Sequence, residues 1–458
     1  MRTASGREGR IHRMHELLKT QRIYDSSALQ EWLLSLETKY AVGAAPEKYH
    51  RLVNFSANAA APYHQWFKYR EGFAGELIAE LIALSGAQKG ELIIDPFCGS
   101  GTTNVVAVLS GYNTLGLDVN PMSAFLTNTK VDRYDAQDFE EIRRFLSALR
   151  NFRGGAPRKS DREVCRYFQP DRFDELVRIR SFLDALPESR AGQLLRAAFV
   201  SIILDCSDRR RDGNGLKVSA SRVEDTAAFF EEKAALMIED IRRVRPCDGV
   251  RGFGLCDTAC HLYQRYESCR DGRRAGAIIF SPPYANSFDY FESYKLELIL
   301  GGFADGMTGI ADLRRGAVRS FVGAQAQKAC DPCIDLIAKE IEEAIPAKEA
   351  RTGKKDGRTR KVPDMIRGYF SDMREVLRKC ALCLNPGGKT YIVVDQSAYL
   401  GKIVPTDLLL AYLDEQEGFT VGRIVKCRNA RTSTQQLNQY PYLKTTLRES
   451  IVELVRNE

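Results

Sequence analysis

Apolar positions along the chain fall into two patterns. Short unbroken runs, Leu92-Ile93-Ile94, Thr114-Leu115-Gly116-Leu117, Ala275-Gly276-Ala277-Ile278-Ile279-Phe280 and Thr390-Tyr391-Ile392-Val393-Val394, predict strands buried on both faces, as in a parallel sheet. Phe253–Asp257, Gly418–Val421 and Glu449–Val455 supply further strand material. Spacing near 3.6 predicts helices over Glu76–Leu84, Phe139–Leu149, Phe173–Leu186, Gly192–Leu204, Thr226–Val244 and Met373–Leu384, with shorter helical patterns at His15–Lys19 and Leu29–Leu34. Strands alternating with helices define an α/β fold with a doubly wound, mostly parallel sheet. Residues 136–250 are far more than a crossover requires and read as a helical insertion; residues 301–365 read as a second. The expected organisation is a helical arm over 1–55, a first sheet half over 56–135, the insertion over 136–250, a second sheet half over 251–300, the second insertion over 301–365, and the rest of the sheet over 366–458.

One strand-to-helix turn organises the chain. Leu92–Ile94 breaks at Asp95 into Pro96-Phe97-Cys98-Gly99-Ser100-Gly101-Thr102-Thr103. Pro96 stops the ladder, Gly99 and Gly101 admit positive φ and close backbone approach, and Thr102 opens a helix whose free N–H groups face the same space. A second strand ends in Asp118, about 20 residues after the glycines, where a doubly wound fold places an acid on ribose hydroxyls. No lysine follows the glycines, and an acid at the entry would repel pyrophosphate, so a cationic nucleoside cofactor fits better than a phosphate.

The strand Ala275–Phe280 ends in Ser281-Pro282-Pro283-Tyr284. Two prolines fix φ and remove two donors, which leaves the carbonyls there to accept from something else. A hydroxyl, a forced carbonyl and an aromatic ring at a strand end of the same sheet make a site, because ligands of open α/β sheets collect at those carboxyl ends. A plain strand terminator is the bland alternative.

These two motifs resemble those of the S-adenosylmethionine-dependent DNA amino-methyltransferases, whose members often read Asp-Pro-Phe-x-Gly-x-Gly-Thr and carry the Ser-Pro-Pro-Tyr form where cytosine, rather than adenine, is the target. The resemblance covers the chain from about 60 onward and implies a class I methyltransferase fold. It also implies S-adenosylmethionine held by Pro96, Phe97, Gly99, Gly101 and Thr102, with Asp95 near its ammonium, Asp118 on its ribose and Asp257 near its adenine. His64–Ile78 resembles the family's segment before the glycine turn, which puts Phe73 and Trp66 beside the sulfonium, where ring quadrupoles attract a cation. Ser281, Pro282, Pro283 and Tyr284 become catalytic residues acting on N4 of a flipped cytosine in double-stranded DNA, Tyr284 stacking on the base. N6 of adenine, an RNA amino group, and a DNA-binding protein that keeps the fold without turnover are the alternatives. A cognate restriction endonuclease is the functional partner the resemblance allows.

Composition changes this picture little. In 458 residues, 67 Lys and Arg against 60 Asp and Glu leave a net charge of +7, a weak pull towards an anionic partner. Arg209, Arg210, Arg211 and Lys217, in a glycine-containing loop, and Arg428 and Arg431, in a polar stretch near the end, are candidate phosphate contacts; solvated turns are the alternative. The basic run Arg351–Lys361 is expected to be mainly solvated. The twelve cysteines are scattered, which suggests free thiols in a reducing, cytoplasmic compartment. The pairs Cys330/Cys333 and Cys380/Cys383 have zinc-ligand spacing, but the second falls on the apolar face of a helical run, and no metal is expected. A covalent route through a cysteine nucleophile is not expected either, because the pair Pro332-Cys333 follows no core strand. No apolar stretch is long enough for a membrane span, and no membrane partner is expected.

Overall fold

The computed structural model describes residues 13–70, 72–213, 215–324 and 331–458. Its strands are β1 Gly43–Ala44, β2 Leu92–Asp95, β3 Asn113–Asp118, β4 Arg209–Asp212, β5 Gly215–Val218, β6 Gly252–Cys256, β7 Ala275–Phe280, β8 Leu384–Asp395, β9 Ser397–Tyr399, β10 Lys402–Val404, β11 Phe419–Asn429 and β12 Arg448–Arg456. Eight of them form one sheet in the order β1-β11-β12-β8-β7-β2-β3-β6. β12 runs against both of its neighbours, and the other pairs are parallel. From β2 the chain first winds outward through β3 to β6, then crosses back to β7 and continues through β8. The switch therefore lies between β2 and β7, where Ile94 pairs with Ile278.

Period-two alternation distributes the apolar runs to two cores. Leu92, Ile94, Ile278, Phe280, Ile392 and Val394 join one cluster, while Ile93, Ala277, Ile279, Tyr391 and Val393 join the cluster on the other face. The first face is covered by helices Val362–Cys383, Thr406–Gln416 and Pro332–Thr352, the second by Gly75–Ser85. The excursion after β3 folds as four long helices, Ala136–Asn151, Pro170–Asp184, Arg190–Cys206 and Thr226–Arg243, around a third core. These match the periodicity in the sequence closely.

Two expectations need correction. The helices Arg13–Thr20 and Ser27–Tyr40 are no free arm: Met14, Leu17, Leu29 and Leu33 belong to the first-face core, and Glu37 meets the buried guanidinium of Arg448 at 2.7 Å. The glycine-containing arginine loop is an antiparallel hairpin, β4 with β5. Within β8 the register shifts between the pairs Ala275/Leu384 and Ala277/Lys389, and Gly387 in that stretch takes φ +80°. Within the basic run, Arg360 pairs with Glu349 at 2.5 Å, and Arg358 reaches the Ser287 carbonyl at 3.4 Å, so that run is partly pinned to the fold. Cys380 and Cys383 are buried core positions of their helix. Cys330 lies outside the described residues.

Candidate active site

Because β2 and β7 are parallel neighbours, the glycine turn after Asp95 and the tetrapeptide after Phe280 leave the sheet side by side at the same end. Gly99 sits at φ +51° and Gly101 at φ +83°. A Cβ on Gly99 would come within 2.9 Å of the Tyr69 ring, and one on Gly101 within 2.7 Å of Thr127 Oγ1, so both conformation and space demand glycine. Lys130, buried behind the turn, donates to the Ser100 carbonyl at 2.7 Å; burial lowers its ammonium to about 7.

Two clefts open here and share Tyr69, Phe97, Gly99 and Ser281. The first runs along Pro96, Asp118, Val119, Asn120, Thr258 and Ala259 and is walled by the rings of Phe288, Tyr290 and Phe321. The second passes Asp95, Thr102 and Phe73 and continues to Asp205 and the arginine hairpin.

The carboxylates of this site lack a cation. Asp95 accepts from the Phe97 N–H at 2.9 Å and the Thr103 hydroxyl at 2.6 Å. Asp118 accepts from the N–H groups of Gly99 at 3.0 Å and Asn120 at 2.8 Å. Among the described residues no lysine, arginine or histidine forms an ion pair with either. Burial pushes Asp95 up to about 7 and Asp118 up to about 6 in spite of those hydrogen bonds. Two desolvated acids, Asp118 on the first cleft and Asp95 on the second, flank the residues the clefts share and fit a cationic nucleoside whose ammonium and ribose hydroxyls supply the missing partners.

The other expected residues divide. Phe73 lines the second cleft. Trp66 does not: its indole N–H donates to Asp240 at 2.9 Å inside the helical core, because Asp240 gathers the Tyr63 N–H and Gln65 as well. Asp257 lines neither cleft; it is claimed by His261 at 2.9 Å and Arg265 at 2.6 Å. Burial alone would raise its carboxyl, and those two contacts more than reverse that. Its neighbours Thr258 and Ala259 occupy the wall instead.

Ser281 and Pro283 line the first cleft. The Tyr284 ring is packed in the core with only 8% of the residue exposed, so the stacking face expected of it is largely covered, and its hydroxyl is what reaches Ser281, at 3.2 Å. Tyr69, stacked on Tyr294 at 4.9 Å between centroids, is a wall that sequence reading missed; nothing in its local sequence sets it over Gly99. Asn120, likewise missed, does carry a local signal, Asn-Pro after the strand acid, the pattern of a helix cap.

Among the candidate phosphate contacts, Arg210 is exposed on the hairpin and Arg431 is exposed on a third, polar cleft with Lys348, Arg358 and Gln436. Arg209 lies over the Tyr167 ring, and Lys217 pairs with Asp212. Arg211 and Arg428 are turned inward onto Glu297 and Glu449, so neither is available to a phosphate as placed.

Sheet order, a single reversed strand and a site at the β2/β7 switch define a class I α/β methyltransferase, and the cofactor of that class is S-adenosylmethionine. Residues 16–125 match the family model described as DNA methylase. Type II methyltransferase M.BsoBI of Geobacillus stearothermophilus is 26% identical over 91% of both chains, and type II methyltransferase M.AvaI of Nostoc sp. 25% identical over 88% of both. Type II methyltransferase M.MjaII of Methanocaldococcus jannaschii is 42% identical over a stretch covering 17% of this chain and 15% of its own. The chain thus matches the DNA methylase family over residues 16–125 and is similar to type II methyltransferases over about nine-tenths of its length. No described helix is long and apolar enough to cross a membrane.

Proposed function

We propose that this protein methylates the exocyclic amino group of a base in double-stranded DNA, and that the base is cytosine, giving N4-methylcytosine. The observation that carries the reading is the juxtaposition of Ser281 with Phe97 and Gly99 in one cleft at the end of two parallel strands. Bound S-adenosylmethionine supplies an electrophilic sulfonium methyl. Asp95 and Asp118 hold such a cofactor by charge and hydroxyl contacts, and the rings of Phe97, Phe288 and Tyr290 exclude water from it. An amino nitrogen inside a duplex is out of reach, so the base is extruded. The Ser281 hydroxyl and the Pro282 carbonyl then accept the two amino hydrogens, drawing the nitrogen lone pair out of conjugation, with Pro283 as an apolar wall. This is positioning and hydrogen bonding, which can lower a barrier by several kcal/mol without a covalent enzyme intermediate. Serine rather than Asp or Asn at position 281 favours cytosine over adenine, as in the family's tetrapeptide. Protection of DNA against an endonuclease of the same specificity is the matching role.

Mass spectrometry of nucleosides from duplex DNA methylated by the purified protein tests this. N4-methylcytosine is expected. N6-methyladenine would replace the base assignment, label found only in RNA would replace the substrate class, and cofactor binding with no transfer would leave a DNA-binding protein.

A further inference from the structure

Behind the Ser281 hydroxyl runs a chain of polar groups that the proposed chemistry does not use. Tyr284 Oη donates to Glu449 Oε1 at 3.3 Å, and Ser281 Oγ donates to Tyr284 Oη at 3.2 Å. Glu449 lies at the start of β12. That strand runs against its neighbours, so its beginning lies at the end of the sheet where β7 finishes, and the carboxylate arrives beneath the tetrapeptide. The Glu449 side chain is 3% exposed and ion-paired with Arg428, its cross-strand partner on β11. These two hydrogen bonds are long for O–H···O bonds, as catalytic hydrogen bonds often are before substrate arrives.

We infer that Arg428 and Glu449 fix the hydrogen-bond polarity of Ser281 through Tyr284, making the serine an obligate acceptor that selects bases carrying an amino group over bases presenting a carbonyl. The inference rests on the methyl-transfer reading above. The argument is a count of protons. A carboxylate ion-paired with a guanidinium is an acceptor. The single phenolic proton is therefore committed to Glu449, which leaves the Tyr284 oxygen able only to accept. Ser281 commits its own proton to that oxygen and turns lone pairs towards the cleft it lines. An N–H of cytosine or adenine completes the arrangement. The carbonyl oxygen that thymine or guanine carries at the corresponding place would set acceptor against acceptor and leave a buried group unpaired. Glu449 and Arg428 act through Tyr284 and are positioning residues.

The test is a double-mutant cycle of Tyr284→Phe and Glu449→Gln, read as kcat for methyl transfer to duplex DNA and as dissociation constants for S-adenosylmethionine. Glu449→Gln puts an amide N–H within reach of the phenol, so that Tyr284 can turn its proton to Ser281 and Ser281 its own to the cleft. Each single variant should lose about ten- to a hundredfold in kcat with cofactor affinity within about twofold of the parent. The double variant should be no slower than Tyr284→Phe alone, because without the hydroxyl Glu449 has nothing left to orient. Effects that multiply in the double variant, a Glu449→Gln rate within about twofold of the parent, or a parallel loss of cofactor affinity would overturn the inference while leaving an active methyltransferase. A parent that transfers methyl to no nucleic acid would overturn the function reading, and this inference with it. If Glu449→Gln does not fold, Tyr284→Phe decides alone, and a parental rate in that variant sinks the relay.

Discussion

Arg211 of the hairpin is ion-paired with Glu297 of the helix Lys295–Leu300, the two side chains 7% and 1% exposed. The guanidinium also lies over the Tyr294 ring, 4.2 Å from its centroid, while Arg70 donates to the Arg211 carbonyl. The last arginine of a basic triplet is thus a structural post that fastens the hairpin to the body.

That relationship separates neighbouring arginines. Arg211→Ala strands a buried carboxylate and should cost about 3–5 kcal/mol of stability. Arg210→Ala removes an exposed cation and should leave stability within about 0.5 kcal/mol. If the hairpin faces DNA, Arg210→Ala also flattens the slope of log K against log salt by about 0.9. Denaturant melts and salt titrations of duplex binding read these; an unchanged slope in Arg210→Ala would remove the hairpin from the DNA surface.

The two uncompensated acids set a pH dependence. Their carboxyls, raised to about 7 and about 6, carry protons at pH 5 that a cation must displace, so cofactor affinity should rise from pH 5 to pH 8 with proton release. The sign for the free protein is opposite. A carboxyl raised above its unfolded value contributes stability below the unfolded range and loses it as pH rises through 6 to 7, so the cofactor-free protein should lose stability across that window while the bound form does not. Calorimetric titration in buffers of different ionisation heat, with thermal melts at each pH, measures both; a pH-independent affinity would contradict the assignment.

Asp95→Ala and Asp118→Ala should each weaken S-adenosylmethionine binding by about 1–3 kcal/mol through loss of one ligand partner. Asp257→Ala should change it far less, since that carboxylate is held by His261 and Arg265. Thermal shift with the cofactor ranks the three.

Trp66 and Phe73 should part in the same way. Trp66→Phe leaves Asp240 short of a buried donor and should cost about 1–3 kcal/mol of stability without altering cofactor affinity. Phe73→Ala should weaken the cofactor, because Phe73 lines the cleft. Equal effects on cofactor binding would return Trp66 to the site.

By itself the sequence determined what depends on short-range chemistry. The β7 run was legible residue for residue, because six apolar positions end at two prolines that cannot extend a ladder, and the glycine turn was legible because positive φ and close approach leave few alternatives to glycine. The four long helices announced themselves by their period. Tertiary structure decided where long polar side chains spend their charge. Arg210 and Arg211 are adjacent and chemically equal, yet alternation along β4 turns one outward and the other onto Glu297, a partner 86 residues away. The same holds for Trp66 with Asp240 and for Tyr284 with Glu449. Each pair is joined by the packing of distant elements, and no local pattern carries the direction of a side chain whose partner is supplied by another part of the fold.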